Sequence, residues 1–299
     1  MYFFGPKIYF KKAYYDTFKI YIDIFFLLNY GDLFFNLKIK TMKKLLYLFA
    51  ASLLVFTSCS KDDNDSSNST SSILPKKVTT TYSGGDSDVQ NIVYNGNKIV
   101  TSTDQDGYVI KYTYTGEFIT KVEEFDKDGK LDKTTDYTYL NGKLNTSVEK
   151  SADPTATYYY ETKFMHNADG TVFYENFRGL ILTGVEQEYG ATGKYTFKDQ
   201  NLVKLEVSYY GNEYSYVYEY DTKNNPLKNV LGYNLLLEDE NASVNNVLKE
   251  TSTSGSGAKI STSTTTYSYK YDANNYPTET VKSYPSGTSV ATQTTQIVY

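Results

Sequence analysis

The sequence is short of the residue types that build most catalytic and metal sites. Its 299 residues contain one Cys, one His and no Trp. A single Cys cannot form an internal disulfide, and one Cys with one His cannot complete a structural zinc site. A Ser-His-Asp triad would have to use His166, but residues 165–170 (MHNADG) are typical of a hairpin turn. We therefore expect no catalytic histidine, no metal and no cofactor.

Basic residues are also scarce beyond the start of the chain. Of 30 Lys and Arg and 35 Asp and Glu, eight Lys and three Asp lie in residues 1–58. From Cys59 onward that leaves 22 basic and 32 acidic residues, a formal net charge of −10. Because an acidic domain repels the phosphate backbone, no nucleic-acid partner is expected.

A compact sorting signal begins at Met42. Lys43 and Lys44 form a basic start, and residues 45–56 (LLYLFAASLLVF) form an apolar core. This core is shorter than the ~20 residues that a transmembrane helix needs. The pattern predicts a secretory signal peptide over residues 42–58, with a buried helix or a signal anchor as the alternative.

The residues at the end of this signal, 56–59 (FTSC), resemble the lipobox that lipoprotein signal peptidase reads, with Phe56 in place of the usual Leu. The resemblance implies cleavage before Cys59, lipidation of this cysteine and anchoring in the outer membrane. The next residues resemble the export signal of surface lipoproteins in the Bacteroidetes: Ser60, Lys61, Asp62 and Asp63. A solvated acidic linker explains them equally well, so surface exposure is left open.

Residues 1–41 precede this signal and show no clear helical or strand period. We interpret them as an extension upstream of a true start at Met42, and a real N-terminal membrane segment around residues 20–30 is the alternative. The predicted organisation is a signal peptide over 42–58, a lipidated cysteine with a flexible linker over 59–77, and a β-repeat domain over 78–299.

The remainder of the chain repeats one theme. A strand with alternating aromatic residues runs into a polar turn, and a new strand follows. The 33 Tyr and the many Thr favour strands, while Asn-Gly, Asp-Gly and Asn-Asn supply the positive φ angles of hairpin turns. The turns are predicted within residues 94–99, 125–131, 139–144, 165–172, 197–202, 220–227 and 271–277.

The tyrosines in these strands recur at every second position, which places them on one face. Cross-strand pairs of such rings would each contribute about 0.2–1 kcal/mol. The candidate aromatic face consists of Tyr214, Tyr216, Tyr218, Tyr220, Tyr267, Tyr269 and Tyr271. The pattern predicts a long antiparallel meander with one aromatic and one polar face.

At Tyr220-Asp221 and Tyr271-Asp272 the chain resembles the YD-repeat (Rhs-like) proteins, because each pair ends a Tyr-x-Tyr strand and enters a turn. The resemblance is degenerate and covers most of residues 77–299. It is closest to small Bacteroidetes lipoproteins with weak YD-type repeats, most of unknown function. The long Rhs toxins of this family build a closed shell around a cargo, for which this chain is too short.

A sheet of this kind must cover its aromatic face, by closing into a barrel, folding into a sandwich or rolling into a trough. We expect an all-β fold in which the meander forms a strongly curved or barrel-like single sheet. Residues 227–248, rich in Leu and Val, interrupt the rhythm and predict a loop or short helix that plugs one end. Residues 251–259 (TSTSGSGAK) predict a flexible loop.

Paired carboxylates are the remaining catalytic option, because a glycosidase needs two carboxyl groups at a set separation. Glu123 with Glu124, and Glu186 with Glu188, lie in strand-like segments, where charged neighbours are ordinary on a solvated sheet. A third acidic group surrounds Gly129 and resembles a calcium loop, although a hairpin turn has the same composition: Asp126, Asp128 and Asp132.

Tyrosine rings also bind, since they stack on sugars and anchor interfaces, but a regular ladder is more typical of a core. The chain ends on an aromatic residue, Tyr299, as outer-membrane barrels often do. A lipid-embedded barrel would have to turn the tyrosines outward, because the opposite face is polar, at Thr113, Ser215, Glu219 and Lys270.

We expect a cell-envelope lipoprotein with a non-enzymatic structural or binding domain, attached to the membrane by its lipid. The first alternative is a component of a surface receptor for a glycan or protein ligand. The second alternative is a glycoside hydrolase.

Overall fold

The computed structural model describes residues 72–237, 243–256 and 259–299. Contacts divide the chain into two units, residues 1–66 and 67–299, and only the second contains described residues. The predicted signal peptide, Cys59 and the predicted export signal lie outside the described residues. The described part contains no helix with the length and apolarity that a membrane crossing requires.

Sixteen antiparallel strands form one closed barrel in the described part of the chain. Each strand pairs with its neighbours in sequence, and β1 pairs with β16 to close the sheet. The predicted all-β meander with a barrel-like sheet is therefore confirmed. The strands are β1 (Lys77–Tyr82), β2 (Ser87–Asn95), β3 (Lys98–Asp104), β4 (Val109–Thr115), β5 (Phe118–Phe125), β6 (Leu131–Leu140), β7 (Lys143–Ser151), β8 (Tyr158–His166), β9 (Val172–Leu180), β10 (Glu186–Lys198), β11 (Asn201–Tyr209), β12 (Asn212–Tyr220), β13 (Val247–Ser256), β14 (Lys259–Tyr271), β15 (Pro277–Ser286) and β16 (Ser289–Val298).

Aspartate side chains fix the reversals between many of these strands. Asp272 Oδ1 accepts the backbone N–H groups of Asn274 and Tyr276 over 2.9 and 2.8 Å. Asp104 and Asp126 accept the corresponding pair of N–H groups, two and four residues later, at 2.9–3.0 Å. Each carboxylate satisfies two donors that a tight turn leaves without a ladder partner. The acidic group around Gly129 is thus a hairpin turn.

The reversals fall at two ends of the barrel. Because the strands alternate in direction, all turns from an even-numbered to an odd-numbered strand share one end with residues 72–76. Six of the seven predicted repeat turns lie at this end, and residues 125–131 lie at the other. The fold therefore gathers the aromatic ends of most repeats into one half of the barrel.

The connection between β12 and β13, described at residues 221–237 and 243–246, covers that same end, hereafter the plugged end. Around its short 3-10 helix, Tyr233–Leu235, the side chains of Val230 and Leu236 are buried in one cluster with Ile99 and Ile119. The predicted plug is confirmed, although most of it is irregular. The described turns at the opposite end, hereafter the open end, are short.

Asparagines attach the plug to the rim of the barrel. Asn201 Nδ2 donates to Asn245 Oδ1 over 2.9 Å, and the backbone N–H of Asn245 donates back to Asn201 Oδ1 over 3.0 Å. Asn229 Nδ2 donates to Ile73 O over 3.0 Å and to Tyr276 Oη over 2.7 Å. An amide carries both donors and an acceptor, so asparagine satisfies backbone groups that no ladder reaches.

The tyrosine face of the sheet points into the barrel. Leu144, Phe164, Tyr174, Tyr195 and Tyr218 form one buried cluster there, and the rings of Tyr174 and Tyr195 are 5.1 Å apart. The outer wall instead carries ion pairs between neighbouring strands, at Lys194–Glu206 (3.0 Å), Lys249–Glu219 (2.9 Å) and Lys270–Glu279 (2.7 Å). In the described strands the alternating tyrosines therefore face inward, and Tyr159, which donates to Glu186, is an exception on the outer wall.

The structure differs from the sequence prediction in two segments, the predicted loop at residues 251–259 and the end of the predicted linker. The predicted flexible loop at residues 251–259 was wrong, because its described residues continue β13 and begin β14, with Thr251 opposite Thr264. Thr is β-branched and fits a ladder without any aromatic alternation to signal it. At the other boundary, Leu74 and Pro75, assigned to the linker, are buried at the plugged end.

Candidate functional site

The tyrosines near the plugged end make a repeated hydrogen bond. The hydroxyls of Tyr139, Tyr220 and Tyr269 each donate to a backbone carbonyl at the start of the preceding strand, over 2.8, 2.7 and 2.6 Å. Burial raises the pKa of Tyr139 and of Tyr174 to about 12. These rings are packed and hydrogen-bonded, so this half of the barrel is not an exposed stacking platform.

The seven residues of the candidate aromatic face all lie on the inner face. Their register places them beside other inward residues, and Tyr218 is buried in the core cluster. They differ in their position along the barrel. Four of them lie towards the plugged end, Tyr218, Tyr220, Tyr269 and Tyr271, whereas Tyr214 lies towards the open end.

The single histidine takes the same position in its repeat as these tyrosines. His166 ends β8, and its Nε2–H donates to the carbonyl of Leu144 over 2.7 Å. Residues 167–170 then form the turn, with the N–H of Gly170 donating to Asn167 O. The imidazole therefore makes the structural hydrogen bond that a tyrosine hydroxyl makes in the other repeats.

The carboxylate pairs found in the sequence do not meet as catalytic pairs. Glu123 and Glu124 point to opposite faces of β5, where Glu123 binds Lys121 over 2.7 Å outside and Glu124 binds Lys133 over 3.1 Å inside. Glu186 and Glu188 share the outer face of β10 but lie opposite different residues of β9. Among the described residues, no three side chains of His, Cys, Asp or Glu form a metal site.

Glu186 belongs instead to an outer-wall cluster with Glu161. Lys163 Nζ lies 2.7 Å from Glu186 and 3.4 Å from Glu161, and Tyr159 Oη donates to Glu186 over 2.9 Å. The hydrogen bond from Lys163 lowers the pKa of Glu186 to about 2, whereas burial raises the pKa of Glu161. Lys163 forms an ion pair with both carboxylates, so neither is left free to act as one of a glycosidase pair.

A row of charged and aromatic side chains crosses the inner face near the open end. The ladder places Glu124 beside Lys133, and it places Tyr160 between Glu149 and Arg178. Two further rings contact Arg178. These residues constitute the inner band: Glu124, Lys133, Glu149, Tyr158, Tyr160, Arg178 and Tyr189.

Lys133 joins the two carboxylates of the inner band. Its Nζ lies 3.1 Å from Glu124 and 3.1 Å from Glu149. Burial alone would lower the pKa of Lys133, but attraction to both carboxylates outweighs it and raises the pKa to about 12. The ammonium therefore stays charged and occupies the space between two carboxylates that a glycosidase would leave for its substrate.

Arg178 is the only arginine among the 30 basic residues of the chain. Its guanidinium carbon lies 4.4 Å from the centre of the Tyr158 ring and 4.6 Å from that of Tyr189. With the Gln187 amide oriented so that its oxygen faces the guanidinium, this oxygen accepts from Nε and Nη2 of Arg178. Within the part of the chain that the structure describes, no carboxylate lies within ion-pair distance of Arg178.

A break in the ladder brings Tyr189 to this position. The register between β10 and β9 shifts between Glu188 and Thr192, and Gly190 in the break has φ of 87°. A bulge of this kind re-aims a side chain. It places the Tyr189 ring 5.6 Å from that of Tyr160 as well as against Arg178.

Sequence reasoning missed the inner band. The one available signal was the count of a single arginine against many lysines. Nothing in the local sequence of Lys133, Glu149 or Arg178 separates them from the charged residues of the outer wall. Only the register of β5 to β10 places them on one face and in one row.

The sequence matches no protein-family model and no curated protein. Among solved structures, the chain is similar to a porin-like protein from Bacteroides uniformis. The two are 11% identical, with a TM-score of 0.43, and the match covers 75% of this chain and 97% of that one.

Proposed function

We propose that this chain is a non-enzymatic lipoprotein of the cell envelope, held to the outer membrane by lipid on Cys59, whose barrel binds a ligand at its open end. The observation that carries the proposal is the inner band. Three tyrosine rings, an arginine with no carboxylate partner among the described residues and an ion-paired triad lie together where no plug covers the inner face.

The path of the chain supports access to this end. The backbone N–H of Lys76 donates to Val298 O over 2.7 Å, and Leu74 is buried, so the chain enters the barrel at the plugged end. A tether from Cys59 would therefore join the barrel at that end. The plug lies at that same end, so it does not cover the open end, where the proposed ligand would enter.

The side chains of the inner band favour a glycan as that ligand. A sugar ring stacks its apolar face on tyrosine, and its hydroxyls bond to charged side chains. The hydrolase alternative is not favoured, because a lysine lies between the carboxylates of each pair: Lys163 contacts Glu161 and Glu186, and Lys133 contacts Glu124 and Glu149.

The test is a glycan array probed with the full mature chain carrying Cys59→Ser, which removes the lipidation site. We expect binding to a defined set of glycans. Tyr160→Ala should reduce the affinity about 10-fold, because it removes one stacked ring. Tyr108→Ala is the matched control, since Tyr108 is 49% exposed in the turn after β3 and outside the inner band. Absence of binding, or equal loss in both variants, contradicts the proposal.

A further inference from the structure

We infer that the glycan is acidic and that Arg178 binds its carboxylate; this inference rests on the proposed binding function. The guanidinium has five N–H donors, and Gln187 accepts from only two of its nitrogens. The guanidinium carbon lies 4.4 and 4.6 Å from the centres of the Tyr158 and Tyr189 rings, so aromatic contacts restrict its movement. The other N–H groups remain available to a ligand.

The contrast with Lys133 identifies the missing partner as an anion. Lys133 has two carboxylates at 3.1 Å, so its charge is compensated within the inner band. Arg178 lies only two strands beyond Glu149, yet the protein provides it with no carboxylate at ion-pair distance in the described part of the chain. A cation kept unpaired on a partly buried wall gains most from a ligand that carries the opposite charge.

The choice of arginine indicates a planar anion. All other basic residues of the chain are lysines, which act as point charges. A guanidinium presents parallel N–H groups that match the two oxygens of a carboxylate. A uronic acid joins such a carboxylate to a pyranose ring, and the neighbouring Tyr160 ring, 5.6 Å from Tyr189, is placed to stack on that sugar. The ligand class is therefore an oligosaccharide containing uronic acid.

The experiment compares three probes by titration calorimetry against the full mature chain carrying Cys59→Ser. The probes are an oligogalacturonate, its carboxyl-reduced neutral counterpart and a sulfated oligosaccharide of the same length. We expect the oligogalacturonate to bind at least about 10-fold more tightly than the other two, because a charge-assisted bidentate pair is formed only with the carboxylate.

Variants connect that preference to Arg178. Arg178→Gln should remove the preference for the acidic probe, and Arg178→Lys should restore only part of it. Lys111→Gln is the matched control, because Lys111 stacks on Phe125 at 4.3 Å as Arg178 does on tyrosine, but on the outer wall. Circular dichroism of each variant verifies the fold.

The outcomes separate the two proposals. Equal binding of acidic and neutral probes, unchanged by Arg178→Gln but reduced by Tyr160→Ala, overturns the carboxylate assignment and leaves the glycan-binding function intact. Preference for the sulfated probe also overturns it. Absence of binding to all three probes, together with a negative glycan array, overturns both.

Discussion

Tyr220 and Asp221 show at the scale of single residues why a tyrosine-aspartate pair builds this fold. The tyrosine hydroxyl donates to the carbonyl of Leu202 over 2.7 Å and so joins its strand to the start of the one before it. The aspartate accepts the N–H groups of Lys223 and Asn246 at 2.9 and 3.0 Å and starts the reversal. The tyrosine stabilises the packing between strands, and the aspartate accepts the backbone N–H groups that the turn leaves unpaired.

The buried tyrosines predict a loss of stability at alkaline pH. Burial raises the pKa of Tyr114, Tyr139 and Tyr174 from 10.0 to about 12. Between these values the unfolded chain releases protons that the folded chain retains, so the free energy of unfolding falls as pH rises. The stabilisation is fully present below pH 10, and the raised pKa of Lys133, about 12 against 10.5, acts in the same direction.

Urea unfolding at a series of pH values, followed by the absorbance of tyrosinate, measures this effect. Tyr174→Phe keeps the ring but removes one phenol, so it should reduce the slope by up to about 1.4 kcal/mol per pH unit in the window. Stability that stays constant from pH 10 to 12, or phenols that all titrate before unfolding, would contradict the burial described for these residues.

At the scale of elements, the plug is the part that departs from the repeat. Its contact with the rim depends on Gly232, which precedes the 3-10 helix with φ of 72°. A Cβ at this position would lie 2.5 Å from the carbonyl oxygen of Glu117, the residue immediately before β5. The backbone of the plug can approach β5 because this residue has no side chain.

Gly232→Ala should therefore lower the free energy of unfolding by about 2–4 kcal/mol, which combines backbone strain with a steric clash. Gly96→Ala is the matched control, because Gly96 has φ of 61° in a turn at the same end but nothing within 4 Å of its would-be Cβ. It should cost about 1 kcal/mol. Urea unfolding measures both losses of stability, and amide hydrogen exchange should become faster in the plug for Gly232→Ala alone. If the two variants lose the same free energy of unfolding, the close contact between Gly232 and Glu117 is wrong.

The strands and turns also show which parts of the fold the sequence predicts. Period-two tyrosines and Asn-Gly or Asp-Gly turns predicted the strands and reversals, because both signals are local. The strands of small polar residues around residues 251–259 carry neither signal and were missed. Tyr189 and Arg178 could not be paired in advance, since a ladder break between Glu188 and Thr192 decides where the tyrosine points.

At the scale of the whole molecule, closure of the barrel depends on contacts that no local pattern contains. The hydroxyls of Thr80 in β1 and Thr295 in β16 lie 3.2 Å apart, although the residues are 215 positions apart in the sequence. Closure turns one face of the meander inward, and the tyrosines occupy it. The choice among barrel, sandwich and trough was therefore open until this pairing was known.

Closure also leaves ion-paired side chains on the outer wall. The pairs Lys163–Glu186, Lys249–Glu219 and Lys270–Glu279 all lie on that wall, at 2.7–2.9 Å. A lysine on the lipid-facing side of a membrane barrel costs about 2–4 kcal/mol near the midplane, so these pairs disfavour burial of that wall in lipid. The proposed membrane attachment therefore depends on the proposed lipid at Cys59.

Fractionation of Cys59→Ser tests that account most directly. The predicted result is that the variant, with the circular dichroism of a folded β-sheet, leaves the membrane fraction and stays soluble without detergent, whereas the wild-type chain remains with the membrane. If the folded variant stays in the membrane fraction at the wild-type level and needs detergent for extraction, then the barrel itself is embedded, and both the lipid anchor and the solvated outer wall are wrong.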